Sequence, residues 1–255
     1  SSPWMRDPTM PALEVKGLSK SFGSVAAAKN LNIRIQAGSI VSIIGTNGAG
    51  KTTFINMVTG YVRPDHGEIL FAGHDITGKS PREITRLGLG RSFQIPQLFS
   101  GYTVEYNILT AAAVARTRWR SKLPSATQQN LAQCSMSALN AFNLTRFKDR
   151  LVEDLAGGSR KLVDIAMAIV TEPGMLLLDE PTSGVSEEEK GALMEQVLSV
   201  TKSKRLTTVL VEHDMDIVRA YSDRVLAFFA GEVIADGTPA AVLGDRRVQE
   251  LIVGV

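Results

Sequence analysis

Gly45-Thr-Asn-Gly-Ala-Gly-Lys-Thr52 is the stretch whose reading decides the fold. It has the form G-x-x-x-x-G-K-[ST], and each residue type in it has a physical purpose. Gly45, Gly48 and Gly50 let the backbone curl until successive N–H groups face one anion. Thr53 to Val58 contains no helix breaker and reads as a helix whose positive N-terminal end meets the same anion. Lys51 has the reach for the outer phosphates, and the Thr52 hydroxyl suits Mg²⁺. Thr46, Asn47, Ala49 and Thr53 complete the expected cradle. The β-branched run Ser39 to Ile44 comes just before and fits a buried parallel strand. Strand, glycine loop and helix in that order specify a nucleoside triphosphate site. The glycines fall as GxxGxG, so the dinucleotide fingerprint GxGxxG is not met.

Further along, the apolar run Met175 to Leu178 ends in two adjacent carboxylates, Asp179 and Glu180. A strand end puts them at the mouth of a sheet, where open α/β folds bind ligands. The two acids have distinct uses beside a phosphate loop. Asp179 would hold Mg²⁺, directly or through water, and Glu180 would polarise the water that attacks the γ-phosphate.

Working outward, Leu13 to Val15 and Leu31 to Ile35 read as antiparallel strands flanking a connection at Ser24 to Asn30, and Gly67 to Phe71 as another strand. Thr103 to Arg118 and Gln128 to Asn143 are rich in Ala, Gln and Leu and read as helices. Gly174 to Leu178 and Thr207 to Val211 are compact strands separated by the helical Glu187 to Lys202. Arg224 to Phe229 and Val233 to Asp236 form a closing hairpin, and Thr238-Pro239 starts a helix. A βα core is thus interrupted by a helical insert. No internal repeat or low-complexity tract occurs.

The 255 residues, 44% hydrophobic and 21% charged, are globular in composition and long enough for a large core. A formal net charge of +2 gives no electrostatic reason to expect nucleic acid as a partner. Cys134 is the single cysteine, so no intrachain disulfide can form, which fits a reducing cytoplasm. No apolar run reaches the roughly 18 residues that a membrane span needs, and the start lacks the apolar core of a secretory leader. Residues 1–11 read as a flexible N-terminal extension. A membrane role would need partners.

In this order and spacing, the motifs resemble those of the ATP-binding subunits of ABC transporters, over about residues 12 to 243. The resemblance implies an α/β fold. Its P-loop NTPase core is a RecA-like mixed sheet flanked by helices, joined by an antiparallel β subdomain and an inserted helical subdomain. The chain would be one nucleotide-binding domain over 12–255, with core and β subdomain at 12–93 and 169–255 and the helical insert at 94–168. By the same resemblance, Phe22 stacks on adenine and Gln94 senses Mg²⁺ and the attacking water. Leu155-Ala-Gly-Gly-Ser159 is the signature segment. Ser183 to Ser186 is the loop communicating between subunits, and His213 contacts the γ-phosphate. Glu180, His213 and Gln94 become the catalytic group. Thr52, Gln94 and Asp179 become the metal group, with ATP and Mg²⁺ as cofactors. Two subunits of the family pack head to tail, so Ala156, Gly157, Gly158 and Ser159 would cover the nucleotide of a second subunit, identical or paralogous. The other implied partners are polytopic membrane permease subunits, with the chain peripheral on the cytoplasmic face of the inner membrane.

Four positions depart from the family pattern. Ala156 replaces the usual Ser, and a methyl cannot donate to a phosphate oxygen. Ser159 stands for Gln, Ser186 for Asp or Asn, and Thr46 for Pro. Ser186-Glu-Glu-Glu189 still has the form of a capping box. Arg91 to Phe99, Thr103 to Ile108 and Val211 to Met215 are similar to ATPases that import branched-chain and hydrophobic amino acids. Relatives serving urea or amides, and the lipopolysaccharide-export ATPase, share that look. A soluble family member without a transporter, such as a cluster-assembly component, is the competing class. A small-molecule kinase shares only the phosphate loop. Phe93, Leu98 and Phe99 read either as core or as the groove that receives a membrane subunit's helix. Arg116, Arg118, Arg120 and Lys122 around Trp119 read either as a solvated loop edge or as a contact for anionic headgroups.

Overall fold

The computed structural model describes residues 10–94, 96–117 and 126–254. Two sheets meet at the phosphate loop. The smaller is antiparallel, with order β2-β1-β4-β5, formed by β1 (Pro11–Phe22), β2 (Val25–Gln36), β4 (His66–Phe71) and β5 (His74–Asp75). The larger has order β10-β9-β3-β8-β7-β6. Its strands are β3 (Ile40–Gly45), β6 (Leu89–Ser92), β7 (Met175–Asp179), β8 (Thr207–Val211), β9 (Arg224–Phe229) and β10 (Glu232–Gly237). Every pairing in it is parallel except β9–β10.

β3 is buried along its whole length, as its β-branched composition requires of a strand covered on both faces. Ile40, Val41, Ile43 and Ile44 are each at most 2% exposed. Each contributes about 1.5–3 kcal/mol by leaving water, so the strand that carries the phosphate loop is firmly seated. α1 (Lys51–Val58) follows it and buries Phe54 against Phe228 of β9, ring centroids 5.6 Å apart. After α2 (Pro81–Arg86) and β6 come the helices α3 (Val104–Thr117), α4 (Ala126–Ala141) and α5 (Gly157–Val170). α3, α4 and α5 pack on one another around Val104, Ile108, Leu139, Phe142 and Ile165. α6 (Glu187–Ser203), α7 (Met215–Tyr221) and α8 (Pro239–Leu243) complete the core.

Three expectations change. Ser24 to Asn30 is mostly strand, because β2 begins at Val25 and the turn is only Gly23-Ser24. Its Ala-rich start has little strand preference of its own, and pairing with the bulged β1 supplies it. Pro11, expected in the N-terminal extension, already pairs with Gln36. Ser186 is the N-cap of α6 but makes no side-chain cap. Its hydroxyl donates to Glu189 Oε2 at 3.1 Å, while the Glu189 amide donates to the Ser186 carbonyl at 3.0 Å, and the reciprocal box is absent. A complete box occurs instead at Ser80 and Glu83, ahead of α2.

The remaining helix-start expectation holds: Thr238 accepts from the Ala241 amide, with Pro239 opening α8. Residues 1–9, Arg118, Trp119, Arg120 and Lys122 lie outside the described residues, and of Arg116 only its place in α3 is described.

Candidate functional site

The site is built where parallel strands end. Gly45 closes β3, Asp179 closes β7 and Val211 closes β8, with Asp179 paired to Val211 across the sheet. Two glycines of the loop are imposed by neighbouring backbone. A Cβ at Gly45 would collide with the Phe228 carbonyl, and one at Gly50 with the Ala27 carbonyl. The turn between β9 and β10 closes the underside, with the Gly231 amide donating to Ala49 O at 3.0 Å. Both sheets therefore press the loop into shape from below.

Its upper side is a row of donors. Among the described residues, the amides of Gly48, Gly50, Lys51, Thr52 and Thr53 have no acceptor. Thr46, Asn47, Gly48 and Thr52 are exposed, while Ala49 and Gly50 are buried beneath. Unpaired amides at a helix start are a receptor for an anion. Lys51 Nζ donates to Gly45 O at 2.6 Å and Thr46 O at 3.0 Å. Burial lowers its pKa, and the charges of Glu180 and Asp179 oppose that shift. Those two carboxylates therefore lie within electrostatic reach of the loop's lysine.

Glu180 follows directly after β7 with φ at +47°, in the left-handed region that non-glycine residues avoid. Its amide donates to Val211 O at 2.9 Å and its carbonyl accepts from Ser183 N at 3.0 Å, which hold that conformation in place. The result aims the carboxylate between two partners. Gln94 Nε2 donates to Oε2 at 2.8 Å, and His213 Nε2 lies 2.8 Å from Oε1. The three residues that the resemblance groups as catalytic, far apart in sequence, thus meet at one carboxylate. Strain at a site over-determined by hydrogen bonds is characteristic of functional positions.

Four largely buried polar residues behind this front were not foreseen. Arg91 Nη2 donates to Asp179 Oδ2 at 2.8 Å. Lys161 of α5 is 2% exposed, and its ammonium donates to the carbonyls of Phe93 at 2.6 Å and Gln94 at 3.1 Å. One turn on, Asp164 accepts from the Ser92 hydroxyl and the Gln97 amide. α5 thus grips the Gln94 loop on both sides. Burial pushes the Lys161 pKa down and the Asp164 pKa up. Glu212, 2% exposed, accepts from Thr182 Oγ1 at 2.9 Å and from the His213 amide at 3.2 Å, and burial raises its pKa. A buried ionisable side chain has no periodic signature of its own. Lys161 and Asp164, three residues apart on one helical face, are the signal that sequence offers.

The donors around the loop suit a hard cation, being oxygens throughout: the exposed Thr52 hydroxyl, Asp179 and the Gln94 amide oxygen. Arg91 occupies only one Asp179 oxygen, and Oδ1 accepts no hydrogen bond among the described residues. The set fits Mg²⁺.

Other predicted residues lie apart from Glu180. Phe22 ends β1 with its ring 51% exposed, the Lys20 ammonium 5.5 Å from its centroid. Ala156, Gly157, Gly158 and Ser159 form the N-terminus of α5. The atom nearest a Cβ at Gly157 is Gly184 O, and nearest one at Gly158 is Val185. The signature segment therefore packs on the Ser183–Ser186 loop. Phe93 and Phe99 line a cavity of about 310 Å³, also walled by Tyr61, Arg91 and Met167. Leu98 packs the other way, against the cluster around α3 to α6.

The ABC transporter family matches residues 28–183. The probable branched-chain amino acid transport ATP-binding protein LivG of Archaeoglobus fulgidus is 35% identical over 253 residues, 96% of each chain. The high-affinity branched-chain amino acid transport ATP-binding protein BraF of Pseudomonas aeruginosa is 34% identical over 96% of this chain and 98% of its own. Among solved structures, an ATP-binding cassette of an ABC transporter in its ADP conformation superimposes with a TM-score of 0.85. It is 33% identical and covers 97% of this chain and 100% of its own.

Proposed function

We propose, from the premise that this chain belongs to the ABC transporter family, that it powers the import of branched-chain or other hydrophobic amino acids. As an ABC ATP-binding subunit it is an ATPase. The observation that carries the site assignment is the Glu180 carboxylate held by Gln94 on one oxygen and His213 on the other. The cargo follows from the full-length relatives named for branched-chain amino acid transport.

The sequence of events rests on this chain's residues. ATP phosphates occupy the free amides of Gly48, Gly50, Lys51, Thr52 and Thr53, and Lys51 turns from the Gly45 and Thr46 carbonyls to the β- and γ-phosphates. Phe22 stacks on the adenine, its apolar face already exposed. Thr52, Asp179 and Gln94 would hold Mg²⁺, which neutralises charge gathering on the phosphates. Glu180 takes the proton of the attacking water, and His213, next to it, is placed for the γ-phosphate. Ala156 to Ser159, packed away on α5, would close the site of a second subunit, a copy or a paralogue.

We read residues 12–93 and 169–255 as core and β subdomain and 94–168 as the helical insert. The Tyr61–Phe93–Phe99 cavity faces the insert and would receive a helix of a polytopic membrane subunit. Exposed Tyr102 and Tyr106, stacked at 4.4 Å, extend that apolar face. This docking would hold the chain at the cytoplasmic face of the inner membrane; no described helix is long and apolar enough to cross it.

Reconstitution of the chain with its membrane subunits in vesicles tests the proposal. ATP-dependent leucine uptake that disappears with Glu180→Gln is expected. Uptake indifferent to Glu180, or γ-phosphate recovered on a small molecule rather than released, would overturn it.

A further inference from the structure

Arg91 sits between two places that the function must connect. Its side chain is 9% exposed and spans three elements. From β6, Nη2 reaches Asp179 at the end of β7, while Nη1 donates to Asn56 Oδ1 at 2.8 Å and Thr59 Oγ1 at 3.2 Å, on and just beyond α1, the helix of the phosphate loop. The guanidinium carbon lies 4.7 Å from the Phe93 ring centroid and 5.6 Å from that of Tyr61. Both rings wall the 310 Å³ cavity, and so does Arg91 itself. Its Nε is buried with no acceptor among the described residues.

We infer that Arg91 is a positioning residue that fixes the Asp179 carboxylate for the metal and passes the state of the Tyr61–Phe93 cavity to it. The inference rests on the reading of Asp179 as a metal ligand given above. Its physics is that of a planar fork. A guanidinium bonded to three acceptors, on Asp179, Asn56 and Thr59, cannot turn without losing or moving one of them, whereas an ammonium could. Packing of Tyr61 and Phe93 sets the plane of that fork. The plane sets which rotamer Asp179 keeps, and so where Oδ1 points. The unmatched Nε–H is a donor left at an energetic cost.

The test is the effect of Mn²⁺ on binding of β,γ-imido ATP to the full chain. The ratio of the dissociation constants without and with Mn²⁺ isolates the metal's contribution. Arg91→Met should leave metal-free affinity unchanged and lower the ratio about tenfold, the lower end of what losing an outer-shell partner costs a metal site. Tyr61→Ala, which removes a cavity wall and no nucleotide contact, should lower the ratio less. In the Arg91→Met background it should lower it no further. Arg91→Lys keeps the charge without the fork and should also lose most of the effect, which guards against misfolding of the Met variant.

A ratio that stays constant or rises in Arg91→Met, or a Tyr61→Ala effect that adds in full to it, would overturn the inference. Failure of the unsubstituted chain to bind the analogue would instead remove the function reading, and the inference with it.

Discussion

Ala156→Ser adds one hydroxyl, and the structure assigns it two separable effects. Ala156 is the N-cap of α5, with φ −60° and ψ 156° and no side-chain cap, while its carbonyl already accepts from Arg160 N at 3.0 Å. The amides of Gly158 and Ser159 have no acceptor among the described residues. A serine hydroxyl there would accept from one of them, worth about 1 kcal/mol. In a chain of this size that raises the melting midpoint by about 2–4 °C.

The second effect belongs to the closed dimer. The same hydroxyl can donate to a phosphate of the opposite nucleotide, and a hydrogen bond to a charged group contributes about 1.5–3 kcal/mol. The contact occurs at both sites of a homodimer, and each site would tighten the dimer constant by about 10- to 150-fold. Melting without nucleotide reads the cap alone. Sedimentation of the Glu180→Gln chain at saturating MgATP, with and without the serine, reads the closure. A midpoint that does not rise would refute the cap geometry. A higher midpoint with an unchanged dimer constant would refute the placement of this segment on a second subunit's phosphate.

Glu180→Gly should abolish hydrolysis yet raise the melting midpoint by about 1–2 °C. Left-handed backbone costs a non-glycine residue about 1–2 kcal/mol, only partly offset by glycine's larger unfolded-state entropy; a lower midpoint would show the strain is absent. Lys51→Met should weaken ATP binding at least tenfold through loss of charge-assisted phosphate contacts while leaving urea stability intact or higher, because the substitution removes a buried ammonium. Calorimetry and urea titration check the two halves. For Glu212 the native state holds its proton to higher pH than the unfolded chain does. Its contribution to stability is therefore greatest in acid and declines as pH rises from the ordinary glutamate range through the raised native value. Urea midpoints across that window should fall less steeply for Glu212→Gln than for the unsubstituted chain, and parallel curves would show that Glu212 is not shifted.

The elements legible in the sequence were those whose composition settles them. β3, β7, β8 and β9 are short apolar runs bounded by polar residues, and they occur within a residue of expectation. β6 was not foreseen, since Leu-Gly-Arg-Ser has little strand character and exists because β7 pairs with it. α5 was hidden by its uncapped Ala156 and the two glycines that open it, which lower helix propensity where a reader looks for a start. The phosphate loop and the Asp179-Glu180 pair were legible from their own chemistry, whereas Phe22, Gln94, the signature segment and His213 were legible only through the ordered resemblance to the family. What joins them was not. Arg91, Lys161, Asp164 and Glu212 bond to residues 30 to 88 positions away in sequence, and only the fold makes those pairs neighbours. At Ser186 the hydroxyl reaches only the Glu189 carboxylate, and the Glu189 amide donates to the Ser186 carbonyl at 3.0 Å instead, so the reciprocal box expected there is absent.

Phosphate release from MgATP, compared between the unsubstituted chain and Glu180→Gln, addresses the base most directly. Glutamine keeps the size of the side chain and one oxygen for Gln94 or His213, but it cannot take a proton from water. The account predicts a fall in kcat of about 10²- to 10⁴-fold with ATP affinity retained, since no loop residue from Gly45 to Thr53 depends on that carboxylate for its place. A variant that keeps more than about a tenth of the rate, or whose ATP affinity falls in step with it, would contradict the assignment of Glu180 as the base of this site.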